Sequence, residues 1–155
     1  MVFFTFMRKK ILILCTFFTI LFLIGSQFMG FGQKLDVKVI KKEELLEQKL
    51  KKKGLKADFI RISGKRSKWF NDLLSLSTKN SLHLSGKAID ILVGDINGDK
   101  KQDETDVKLV VACLEEIEKE NPTLVGGIGT YLNQGAWSRK MVHFDVRGYK
   151  ARWNK

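Results

Sequence analysis

The chain has 155 residues, with 28 Lys and Arg against 17 Asp and Glu for a net charge of +11, and only two histidines and two cysteines. That length suits one hydrophobic core rather than several domains. One of the cysteines, Cys15, lies in the N-terminal apolar segment, so the rest of the chain holds a single thiol and cannot be a disulfide-stapled scaffold.

Arg8, Lys9 and Lys10 precede a charge-free apolar stretch over residues 11–24. Fourteen residues suit the core of a secretory signal and fall short of the ~20 that a bilayer span needs. Gly30 and Gly32 place small residues before Gln33, where cleavage is expected. Without cleavage the same segment, extended to Phe31, anchors the chain to a membrane. Leu14 is too bulky to make Cys15 a good lipoprotein site. Residues 1–32 therefore read as a signal peptide or N-terminal anchor, and the protein as exported, periplasmic or extracellular.

Residues 33–56 form a basic lead-in. Weak alternation predicts a strand over 36–40, and residues 43–53 read as a short charged helix ended by Gly54. The main domain follows over 57–155. Residues 57–63 read as a strand and 64–67 as a turn. Trp69, Phe70, Leu73, Leu74 and Leu76 mark one face of a helix running to about 77. Residues 88–93 form a strand with Ala88, Asp90 and Leu92 on one side. Residues 106–120 form the longest helix, in which the spacing of Val107, Val110, Val111, Leu114 and Ile117 makes Cys113 an inert core thiol. Asn121-Pro122 closes it. Residues 124–131 are Gly-rich and extended, and 141–147 are a final strand. Short strands interrupted by helices, without regular alternation, predict an α+β fold with a small antiparallel sheet flanked by helices.

Residues 1–32 carry three of the basic residues and no acid, so the remainder keeps 25 basic against 17 acidic residues. Outside the cytoplasm such a surface attracts anionic envelope polymers or lipid headgroups rather than nucleic acid. The alternative is that the lysines keep a monomeric domain soluble.

Both histidines stand in short words beside a carboxylate: Ser81-Leu82-His83-Leu84-Ser85-Gly86-Lys87-Ala88-Ile89-Asp90, and His143-Phe144-Asp145. Two imidazoles and one carboxylate, with a fourth position left to water, make a catalytic zinc site. The alternative is one solvated and one buried, satisfied histidine. On a strand, His143 and Asp145 share a face while Val142 and Phe144 point into the core. Gly86 permits a tight path between His83 and Asp90, and Ala88 keeps space clear on Asp90's face. Zinc held by His83, Asp90 and His143 would bring the pKa of a bound water to about 7 and polarise a carbonyl, the equipment for amide hydrolysis.

Asp95, Asn97, Asp99, Lys101, Asp103 and Asp106 fall at the ligand positions of an EF-hand calcium loop, with a helix following. The spacing looks most like the dockerin-type variant, with Asp at the last position. Lys100 stands where Gly normally makes the sharp turn. The alternative is a polar turn in which Thr105 or Asp106 caps the helix.

The two histidine words resemble the zinc D-alanyl-D-alanine carboxypeptidase family, together with Ser63-Gly64-Lys65-Arg66-Ser67, Gly126-Gly127-Ile128-Gly129 and the run from His143 to Trp153. That family includes murein-trimming carboxypeptidases, vancomycin-resistance dipeptidases and L-alanyl-D-glutamate endolysins. The likeness covers residues 57–155 and is greatest to a short exported branch. It implies a zinc peptidase fold, His83, Asp90 and His143 as zinc ligands, and peptidoglycan stem peptides as substrate, cut by a D,D- or L,D-type carboxypeptidase or endopeptidase. It also implies that Arg66 holds substrate or stabilises developing negative charge. Ser81, Arg147 and Tyr149, with Arg152, are candidates for gripping a stem peptide, or equally for surface charge and strand packing. Many members carry an acid three residues before the last zinc histidine, where this chain has Lys140. Asp145 then serves either as the general base or as the partner that orients an imidazole. Trp137 and Trp153 read as core or rim aromatics.

Overall fold

The computed structural model describes residues 2–29, 34–74, 79–132 and 140–155. Its elements are α1 (Val2–Met29), α2 (Val37–Lys52), β1 (Phe59–Ser63), α3 (Lys68–Leu73), β2 (Ala88–Val93), α4 (Glu104–Glu120), a 3-10 turn (Pro122–Leu124), β3 (Gly127–Tyr131), β4 (Met141–Asp145) and β5 (Ala151–Asn154). The architecture is α+β, a five-stranded sheet in the order β1-β2-β4-β3-β5 with helices against it.

The sheet is mixed rather than antiparallel. Three of its ladders are antiparallel, but β3 and β5 run parallel. β5 is missing from the sequence reading because Ala151-Arg152-Trp153-Asn154 shows no apolar alternation. It is positioned by the tight turn at Gly148 (φ 90°), which carries the chain past β3 to its free edge.

Alternation along the strands divides the sheet into a core face and a site face. Ile89, Ile91, Val93, Ile128, Val142 and Phe144 join Val107, Val110, Cys113, Leu114 and Ile117 of α4 in one core. Val142 and Phe144 are fully buried, as the strand reading expects. Val39, Leu46 and Leu50 of α2 lie in the same core. The segment set apart as a lead-in is therefore part of the domain.

The strand expected over 36–40 is instead the start of α2. Asp36 accepts the Lys38 amide at 2.8 Å, an N-cap, and the buried residues Val39, Leu46 and Leu50 follow a helical stripe. Lys42 on the same helix is fully buried; its ammonium donates to Glu118 Oε1 (2.5 Å) and to the Asp145 carbonyl (2.9 Å), tying α2 to α4 and to the end of β4.

α3 is capped by Ser67, whose hydroxyl accepts the Phe70 amide at 3.2 Å. It ends at Leu73, and residues 75–78 lie outside the described part. Trp69 and Leu73 are exposed, so the apolar face read there is not a core face. In α1, the side chains of residues 11–23 are exposed. No helix among the described residues is long and apolar enough to cross a membrane, which leaves the anchor reading without support.

Candidate metal centre

A single row of paired residues crosses the sheet on its site face. Ser63 pairs with Asp90, Asp90 with His143, His143 with Gly129, and Gly129 with Trp153. Directly opposed residues share a face, so the carboxylate of β2 and the imidazole of β4 are brought side by side by strand register alone. His83 comes from the turn before β2. Gly86 makes that turn with φ 71°, and a Cβ there would press on the Lys34 carbonyl at 3.0 Å. The Arg66 amide donates to the His83 carbonyl (2.9 Å), and the Ser81 hydroxyl accepts the His83 amide (3.4 Å), so both turns are fixed to one another.

His83, Asp90 and His143 are all buried, and their ligating atoms lie within 4.8 Å of one another. His83 Nδ1 is 2.6 Å from the Gly64 carbonyl. A carbonyl only accepts, so Nδ1 carries the proton and Nε2 of the neutral ring offers a lone pair. His143 Nε2 faces Asp145 Oδ2 at 3.2 Å, which leaves Nδ1 as its inner nitrogen. His83 Nε2 lies 3.3 Å from His143 Nδ1 and 3.3 Å from Asp90 Oδ2, and His143 Nδ1 lies 2.8 Å from Asp90 Oδ1. Acceptors converging in a buried space need a cation between them. A tetrahedral ion with bonds of about 2.0–2.1 Å has ligand–ligand edges of roughly 3.3 Å. The two imidazole nitrogens lie at that edge length, the Asp90 contacts come one from each of its oxygens, and the group as a whole could hold a metal ion.

The electrostatics agree. Burial pushes the Asp90 carboxyl upward, but hydrogen bonds and charge from His143 and His83 outweigh it and hold the group well below the usual carboxylate range. Burial lowers His143, yet Asp145 and Asp90 more than reverse this and raise the imidazole above its ordinary value. In the metal-free protein that position thus favours a proton, and a metal ion would replace one cation with another.

Asp145 lies on the outer side of His143. It is fully buried and its contact is with Nε2, the nitrogen turned away from Asp90 and His83. Its oxygens also accept from the Gly127 amide (2.8 Å) and from Arg147 Nε (3.0 Å) and Nη2 (2.6 Å). A carboxylate so engaged is fitted to orient His143. Lys140 forms the turn before β4, with φ 61°, and its carbonyl accepts the Val93 amide at 2.9 Å.

Arg66 reaches the site as expected. Its Nη2 pairs with Asp90 Oδ2, and its Nε donates to the Ser63 hydroxyl at 2.7 Å. Arg147 is spent on Asp145 and stacks over Tyr149 and Trp153, 5.6 and 5.4 Å from the ring centroids. Arg152 binds Glu115, Glu118 and the Gly126 carbonyl. Tyr149 is exposed beside Arg147.

The sequence reading overlooks why residues 126–129 are so rich in glycine. The Trp153 indole crosses over Gly129 to lie 5.2 Å from the His143 ring. A Cβ at Gly129 would come within 2.1 Å of it. One at Gly127 would meet Asp145 Oδ2 at 2.5 Å. Glycine on β3 clears the way for large neighbours to reach the histidine. Trp137 lies outside the described residues.

In the loop read as a calcium site, the acidic side chains take an ion pair and backbone amides. Asp95 pairs with Lys56 at 2.6 Å and accepts the Gly98 and Lys100 amides. Asn97 accepts the Asp99 amide, and Asp99 that of Lys101. Asp103, not Thr105 or Asp106, is the N-cap of α4, and buried Asp106 completes the capping box while accepting from Ile96 and Asn97. Lys100 does take the left-handed turn, at φ 68°. Among the described residues only His83, Asp90 and His143 gather as a group of three His, Cys, Asp or Glu side chains that could hold a metal ion. Among known proteins, no family model and no curated sequence matches this chain.

Proposed function

We propose that this protein is an exported zinc metallopeptidase that hydrolyses peptide bonds in peptidoglycan stem peptides. The observation that carries the proposal is the convergence of two imidazole nitrogens and one carboxylate, within 4.8 Å of one another, on a sheet face away from the core. Zinc bound there would acidify a water to a pKa of about 7 and polarise the scissile carbonyl. His83 and His143 would hold the ion through their inner nitrogens, with Gly64 and Asp145 taking the outer protons. Arg66 pairs with Asp90 and would stabilise negative charge developing on a bound amide. The lysine-rich exterior favours an anionic polymer as partner. Stem peptides of defined length, incubated with the zinc-loaded protein and weighed by mass spectrometry, are expected to lose one fragment and to stay intact with chelator. Intact peptides in both arms contradict the proposal.

A second reading, a non-catalytic, metal-stabilised module that binds cell-wall polymer, draws on one observation. Lys140 occupies the place of an acid, and Asp145 is committed to the outer side of His143. Retention on insoluble peptidoglycan without fragment release distinguishes it.

A further inference from the structure

Tyr131 stands two residues beyond Gly129 on β3, so it shares the site face with Asp90 and His143. Its phenol oxygen accepts a hydrogen bond from Trp153 Nε1 at 3.1 Å. An indole N–H only donates, so this contact uses a lone pair of the phenol and directs its proton to a different acceptor. The phenol is half-buried and near enough to Asp90 and Arg66 for both charges to act on it. Burial is the leading influence and pushes it upward, which favours the proton on the oxygen. Trp153 is itself fixed: it lies across Gly129, against the His143 ring, with Arg147 over its face. One indole therefore sets the position of a metal-site imidazole and of a nearby hydroxyl donor.

Resting on the hydrolase reading above, we infer that Tyr131 is a further catalytic residue, whose O–H donates to the scissile carbonyl oxygen as that oxygen gains negative charge. The phenol donates a hydrogen bond and keeps its proton throughout. Two donors from different strands, Arg66 after β1 and Tyr131 on β3, then serve the same oxygen. A preorganised donor of this kind contributes mainly to kcat, because the bond strengthens as charge develops.

Tyr131→Phe keeps the ring and removes only the hydroxyl. The test uses the zinc-loaded full chain and two probes: a stem peptide, and a phosphinate dipeptide whose tetrahedral anion mimics the reacting centre. The variant is expected to bind zinc and melt like wild type, to lose about 100-fold in kcat with KM within roughly 2-fold, and to bind the phosphinate about 10-fold or more weakly. Hydrolysis and phosphinate binding equal to wild type overturn the inference and leave the hydrolase reading intact. If wild type cuts no stem peptide, the hydrolase reading falls. Phosphinate binding that weakens in Tyr131→Phe then still supports the donor, and binding that is unchanged or absent in both proteins removes it.

Discussion

At the scale of single residues, the site depends on what stands behind each ligand. Asp145 is the clearest case, a buried carboxylate that meets His143 from outside and is itself held by Arg147 and Gly127. Asp145→Asn keeps the shape and removes the charge that makes His143 a good donor. Zinc affinity is expected to fall about 10- to 100-fold, read by competition with a chromophoric chelator. Unchanged affinity would mean that Asp145 serves something other than the imidazole. Gly129 works by absence. Gly129→Ala puts a methyl where the Trp153 ring lies, and the indole must move off His143. The expected cost is about 1–3 kcal/mol in urea unfolding, with a changed near-ultraviolet spectrum; a wild-type curve and spectrum would contradict it. Both histidines and Asp90 are legible in the sequence, because ligand spacing is written in residue types. Trp153 and Tyr131 are not, because their roles come from β5 lying beside β3, a pairing that no local pattern encodes.

At the scale of elements, α2 and the β3–β5 edge show where local reading succeeds and fails. Residues 43–53 read as helix, and 43–52 are helix with Lys53 as the C-cap, while Asp36 to Ile40 alternates too briefly to outweigh a good N-cap. The charged character of α2 disguises its core residues, since only Val39, Leu46 and Leu50 point inward and Lys42 is buried by pairing. β5 is secured to α4 by ion pairs. Arg152 Nε donates to Glu115 Oε1 at 2.5 Å and Lys150 to Glu115 Oε2 at 2.9 Å. Arg152 first, then Lys150, lowers the Glu115 carboxyl to about 2 from an ordinary 4.5. A depressed folded value means that this stabilisation is complete above pH 4.5 and is lost as pH falls toward 2. Glu115→Gln is therefore expected to flatten the acid limb of the stability curve in that window while costing some stability at pH 7. An unaltered slope between pH 4.5 and 2 would show that the pairs contribute nothing to acid stability.

At the scale of the whole molecule, the sheet keeps its two jobs on opposite faces. One face closes the core with α2 and α4, and the other lines up Ser63, Asp90, His143, Gly129 and Trp153 across five strands. A metal ion that bridges β2, β4 and the turn carrying His83 binds the folded state alone, so it stabilises by mass action. At free zinc about 100-fold above Kd the gain is about 2.7 kcal/mol, roughly 10 °C in melting temperature for a domain of this size. Chelator is expected to reverse the shift, and superimposable melting curves with and without zinc would count against it. The α+β class was readable from the order of elements, but the sheet's mixed character was not, because parallel pairing of β3 with β5 depends on a turn at Gly148 and a long-range ladder.

The measurement that bears most directly on the account is the zinc content of the purified protein, wild type beside His83→Ala and His143→Ala, by elemental analysis after gel filtration. One equivalent in the wild type and none in either folded variant is the expected result. Zinc-free wild type that takes up no metal on titration, or variants that retain a full equivalent, would show that these side chains form a hydrogen-bonded cluster and not a metal centre.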